Sequence, residues 1–240
     1  MEIIAIEYRF TLADGSQEVF LLELDAHTLE LLVERPEKLP GWTNLTFHQC
    51  PHCRVTQAQH PYCPLAANIA DIVMRFDHLI SYDRVHLDVI TQERVTSQDT
   101  TAQQGVSSLL GLVIANSGCP YTAFFKPMAR FHLPLATVQE TIFRAVSIYL
   151  ISQYFLKQEG QPADFELQGL KEIYENIHLV NRAMANRLRS ICHSDLPANA
   201  VILLDVYTKA FPFTIEKILK NLRCLFAPFL QDIRYLALVE

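Results

Sequence analysis

The residues best suited to chemistry are cysteines set in cysteine–proline steps: Cys50-Pro51 within His48-Gln49-Cys50-Pro51-His52-Cys53, Cys63-Pro64 after His60-Pro61-Tyr62, and Cys119-Pro120 after Ser117-Gly118. Four of the six cysteines therefore lie in rigid, turn-forming contexts. Cys50-x2-Cys53 is the spacing at which a tight turn offers two thiolates to one ion, and Cys63 supplies a third. Pro64 suits the first turn of a helix, which places the Cys63 sulfur at a helix N-terminus, where the dipole and free N–H groups favour the thiolate. Cys119, on the flexible Gly118, is the expected fourth ligand, with His60 in reserve. Four thiolates suit zinc or an iron–sulfur cluster, and a histidine ligand would point to zinc. The bland alternative is no metal at all, the cysteines serving as small buried apolar residues. Cys192 and Cys224 lie in helical apolar patterns and are expected in the core.

A second group lies in the segment 119–134, apolar and punctuated by Pro120, Pro127 and Pro134, yet carrying Lys126, Arg130 and His132. Arg130 and His132 alternate with Phe131, so in an extended chain both project to one side, where with Lys126 they form a ligand-binding group for an anion. The competing reading makes Arg130 a helix-end cap and His132 a satisfied imidazole. His178, Arg182, Asn186, Arg189 and His193 form a stripe at helical spacing, read as a solvated face. No Gly-rich phosphate loop, Gly-x-Ser-x-Gly elbow or His-Glu-x-x-His pair is present, so nucleotide, hydrolase and metalloprotease chemistries lack a starting point.

The elements that must position these groups fall into two kinds. Ile4, Ile6, Tyr8 and Phe10 alternate with polar residues, Asp14-Gly15 supplies a turn, and Phe20, Leu22 and Leu24 alternate back, which predicts a hairpin. Residues 28–33 and 42–47 are expected as further strands, and 84–95 as a strand returning to the sheet. Leu65, Ile69, Ile72, Val73, Phe76 and Ile80 predict a helix over 64–80. After residue 100 the period becomes helical: 106–115, a helix from the Thr137–Glu140 capping box to about Gly160, a long one capped by Asp164, and two over 198–230 broken near Phe211-Pro212. The fold class is α+β: an N-terminal antiparallel sheet of four or five strands with the Cys-rich metal site, then a mostly helical half. The regions are 1–100 and 101–240, with the second packed on the first.

The chain has 240 residues, half of them apolar, and a formal charge of −6. That suffices for a core without disulfides. The acidic balance argues against nucleic acid as a partner. No apolar run suits a membrane span, and Met1-Glu2-Ile3-Ile4 does not open a secretory signal, so a cytosolic protein with reduced thiols is expected. Two resemblances bear on function. Cys50-Pro51-His52-Cys53 resembles the active-site tetrapeptide of DsbA-type thiol oxidoreductases, but over those four residues only, and Pro61 and Pro64 interrupt the long helix which that fold requires there. The order Cys-Pro-His-Cys, Tyr-Cys-Pro-Leu-Ala, Ser-Gly-Cys-Pro and Pro-Met-Ala-Arg-Phe-His-Leu-Pro resembles a family of uncharacterised bacterial proteins. It implies a bacterial cytosolic protein and no particular reaction. Two functional readings follow: a zinc-stabilised protein that binds a protein partner or small ligand, and an enzyme whose metal or cluster works with Arg130 and His132 on an anionic substrate.

Overall fold

The alternation from Ile4 to Leu24 produces the hairpin it predicts. In the computed structural model, which describes residues 2–33 and 38–230, strands β1 (Ile3–Thr11) and β2 (Gln17–Asp25) pair from Ile3↔Asp25 to Thr11↔Gln17. Gly15 takes φ +84° at the turn, a conformation open to glycine at little cost. Helix α1 (Pro64–Phe76) crosses to β3 (Arg84–Ile90), which pairs with β1 and turns into β4 (Val95–Thr101). The sheet is antiparallel with order β2-β1-β3-β4. The remainder is helical: α2 (Ala102–Ala115), α3 (Lys126–Arg130), α4 (Val138–Gln158), α5 (Gln168–Arg189), α6 (Leu196–Leu222) and α7 (Ala227–Leu230). The fold is α+β, an N-terminal four-stranded sheet followed by a mostly helical half.

One face of the sheet is buried by the pleat: Ile6, Tyr8 and Phe10 of β1, Phe20, Leu22 and Leu24 of β2, and Val85, Leu87 and Val89 of β3. The apolar side of α1 meets them, and the rings of Phe10, Phe20 and Phe76 lie with centroids 4.9–6.2 Å apart. Each such ring contributes about 1.5–3 kcal/mol through burial. The same cluster continues into α2, α5 and α6 through Leu109, Val113, Val180, Leu188 and Val201, so one core spans residues from both sides of position 100. A second, smaller cluster joins α4, α5 and α6 around Tyr174, whose ring stacks on Phe211 at 3.6 Å.

Several expected elements differ from what forms. Residues 28–33 make only an isolated bridge, Leu24↔Leu31, because the Asp25 carboxylate accepts the His27 and Thr28 N–H groups and the chain turns through Leu29 at φ +56°. Residues 42–47 are no strand either. A short 3-10 turn spans Gly41–Thr43, and backbone carbonyls of this stretch turn inward onto a side chain described below. The region 84–95 divides into β3 and the start of β4, which is too polar (Thr96, Ser97, Gln98, Asp99) to carry an apolar period. Helix α6 runs through Pro212, since Phe211 and Ile215 on either side are fully buried and packing outweighs the missing hydrogen bond. The capping box is present as predicted: Thr137 Oγ1 accepts the Glu140 N–H and Glu140 accepts the Thr137 N–H. Asp164 serves the start of α5 by accepting the Gly169 N–H at 2.8 Å, although Leu167 holds the capping position itself. Cys192 is half-buried against the core, whereas Cys224 is exposed, contrary to its apolar pattern.

Candidate functional site

The cysteine loops are assembled by backbone and side-chain bonds rather than by regular structure. The Cys53 N–H donates to Cys50 O at 3.0 Å, closing the turn that carries both thiols. Cys63 N–H donates to Thr43 O (2.8 Å) and Leu45 N–H to Pro61 O (3.0 Å), which zips 43–45 against 61–63. Cys63 then caps α1, with Pro64 in its first turn. The Cys119 loop is fixed from two sides. Asn68 Nδ2 donates to Pro64 O and to Ser117 O (2.8 and 2.9 Å), and Tyr121 Oη donates to His52 O at 2.6 Å while its ring lies 4.2 Å from the His52 ring. Loops that carry Cys50, Cys53, Cys63 and Cys119 thus meet in one layer, with Cys50, Cys63 and Cys119 packed against the main core.

The thiols are close enough to act on one another electrostatically. Cys50 is pushed up to about 12, first by burial and then by the charges of Cys63, Cys119 and Cys53. Cys119 is also raised, chiefly by burial, with Cys63 and Cys53 adding to it. Bringing thiolates together raises their pKa values unless a cation compensates. The thiols do not stand in ligating geometry: among the described residues no three His, Cys, Asp or Glu side chains are placed to hold an ion, and Cys53 Sγ faces Val55 O at 3.9 Å. His60 is exposed and is not among the groups acting on Cys50 or Cys119. His52 is packed so that neither ring nitrogen has a hydrogen-bond partner. It lies within electrostatic reach of the Asn176 backbone but outside hydrogen-bonding geometry.

The residue that sequence reasoning missed is Arg187. It is 2 % exposed, the largest of the fully buried side chains. Its Nη1 donates to Trp42 O and to Asn44 O (2.8 Å), and Nη2 reaches Leu45 O at 3.5 Å, which is why 42–47 cannot form a strand. Its Nε is unpartnered. No carboxylate pairs with it among the described residues; the groups that favour its charge are Cys63, Cys50 and Cys53. A signal was present in the sequence: position 187 falls on the same face of α5 as Ile177, Val180 and Met184, so an arginine interrupts an apolar stripe.

Lys126, Arg130 and His132 are engaged separately. Residues Lys126–Arg130 are helical rather than extended. Lys126 Nζ donates to Thr28 O at 2.8 Å, and Arg130 is exposed beside the Phe131 ring. His132 turns inward, where its Nε2 hydrogen-bonds the hydroxyl of buried Tyr8, which also bonds Ser108 Oγ at 3.0 Å. Enclosure lowers His132 to about 3, with Arg144 adding to the effect. His132 and Ser108 line a cavity of about 290 Å³ bounded by α2 to α6. The stripe on α5 is largely solvated, with His178 Nδ1 held by Asp205 at 2.8 Å.

The family profile described as a domain of unknown function, DUF6901, matches residues 6–227. The chain belongs to that family. The matched span contains all four clustered cysteines, Arg187 and the His132 cavity, so both sites lie inside the family domain. No curated protein and no solved structure matches the chain. Among the described residues no helix is long and apolar enough to cross a membrane.

Proposed function

We propose that Cys50, Cys53, Cys63 and Cys119 hold a zinc ion, that the ion is structural, and that the protein acts by binding a partner or small ligand. The observation that carries this reading is the buried Arg187 beside three of the four thiols. An arginine cannot shed its proton, and a buried charge is retained only when paired. Four thiolates around Zn²⁺ leave a net charge of −2, which provides the missing anion next to the guanidinium. Ligation asks the thiols to move from their present positions, with Cys53 Sγ turning away from Val55 O. All six cysteines are unpaired, which suits a reducing compartment such as the cytosol. With four protein ligands the ion has no open coordination position, so hydrolysis at the metal is disfavoured. The enzymatic alternative, in which Arg130 and His132 act with Lys126 on an anionic substrate, gains nothing from the separate placement of those three residues.

Metal analysis of protein purified without added metal tests the reading. One zinc per chain is expected, and Cys63→Ser should lose it and unfold at a temperature lower by roughly 10 °C, the order expected for a loss of a few kcal/mol in a chain of this size. A brown protein holding iron and sulfide would replace zinc by a cluster. A Cys63→Ser protein that loses its metal but melts unchanged would overturn the structural role.

A further inference from the structure

We infer that the cavity between α2 and the later helices is a binding site for a small molecule with an apolar body and a single carboxylate, seated on Arg144. Its volume of about 290 Å³ falls at the small end of ligand sites, and its walls have the expected character, mainly apolar with a few convergent polar groups. Leu112, Ile177, Leu204, Phe125 and Met128 are among the apolar lining, and Arg144 of α4 lines it too. One guanidinium nitrogen of Arg144 donates to Met128 O at 2.6 Å and to Phe131 O at 2.7 Å. These bonds hold the head in place, and its other N–H groups make no hydrogen bond among the described residues. No carboxylate pairs with it there either. The carboxylate that acts on it, Glu140, is committed to the Thr137 amide and hydroxyl. The cavity therefore presents a positioned cation without its anion, inside apolar walls. A carboxylate matches the planar guanidinium donors, and because neutral His132 adds no second charge, one negative charge on the ligand suffices.

The inference deepens the binding-protein part of the proposed function and is independent of the metal. Octanoate and 1-octanol, titrated calorimetrically into the full-length protein up to millimolar concentration, share an apolar body and differ in the charged end. Octanoate is expected to bind at least about tenfold more tightly, the effect of a charge-assisted hydrogen bond. Arg144→Gln should remove that preference while leaving 1-octanol binding in place. Gly111→Leu should abolish both, since Gly111 lines the cavity and a Cβ there meets only Leu204, at 3.6 Å; it decides the matter if Arg144→Gln fails to fold. Equal affinity for the two probes, binding of neither, or octanoate binding unchanged in Arg144→Gln or Gly111→Leu would overturn the inference. Zinc content measured on each sample keeps the readings separate: full metal without octanoate binding defeats the cavity alone, and octanoate binding without metal defeats the zinc alone.

Discussion

The thiol layer and the His132 cavity wall solve one problem in opposite ways. Each places a basic side chain within an apolar interior. At the cavity wall the imidazole gives up its charge, its Nε2 meets the Tyr8 hydroxyl, and Ser108 completes a neutral chain of hydrogen bonds. In the thiol layer the guanidinium keeps its charge, gathers the Trp42 and Asn44 carbonyls, and lies within electrostatic reach of three cysteines. The difference lies in the side chains: histidine titrates near neutrality and arginine does not. A buried histidine is thus complete within the chain, whereas a buried arginine without a carboxylate lacks its anion, which the proposed zinc–thiolate site would supply.

The strongest way to break this comparison is Arg187→Met. With zinc bound, removing the guanidinium should lower stability by about 3–5 kcal/mol, the usual effect of leaving one partner of a buried charge pair alone. In protein stripped by a chelator the same change should have a much smaller effect. Urea unfolding of both proteins with and without chelator measures the coupling, and equal losses in the two conditions would separate Arg187 from the metal. Next in size is the acid response of His132. Its folded pKa is depressed to about 3, against about 6.5 in the unfolded chain. The stability it contributes is therefore whole above pH 6.5 and is lost as the pH falls toward 3, at up to about 1.4 kcal/mol per pH unit. Wild type should weaken between pH 6 and pH 4 more steeply than His132→Gln, as read from urea midpoints, and parallel curves would mean that the imidazole charges in the folded state. The smallest effect belongs to Tyr8→Phe. Losing one neutral hydroxyl from the chain should lower stability by about 1–2 kcal/mol, well below Arg187→Met, and a larger loss would show that the wall is more than a neutral relay.

The two regions were not equally legible in the sequence. Local rules found the hairpin, α1 with Pro64 in its first turn, and the Thr137–Glu140 box, because each depends on neighbours along the chain. The Cys50–Cys53 turn and the place of Cys63 ahead of α1 were legible for the same local reason, whereas the approach of the Cys119 loop depends on Asn68 and Tyr121 bonds across 49 and 69 positions. What escaped notice depends on distant partners. The reading of His132 as a satisfied imidazole holds, but its partner Tyr8 is 124 positions away, so nothing near His132 announces which group satisfies it. The stretch 42–47 has strand-like apolar spacing, yet Arg187 takes its carbonyls from 142–145 residues away. Pro212 reads as a helix break, and only the burial of Phe211 and Ile215 shows why the helix continues. Strand β4 escaped for a different reason: an edge strand needs one row of backbone partners and little apolar alternation.

That edge position bears on how the molecule behaves in a crowded solution. An open sheet invites other chains to add to its rim, and here both rims are defended. Along β2, the 28–32 segment covers part of the outer backbone, with Asp25 N–H donating to Glu30 O and Leu32 N–H to Glu23 O, while Arg75 of α1 donates to Val19 O. At β4 the edge carries Thr96, Ser97, Gln98 and Asp99, polar side chains that stay hydrated and resist being sealed against another strand. The aborted strand at 28–33 thereby guards the sheet against self-association.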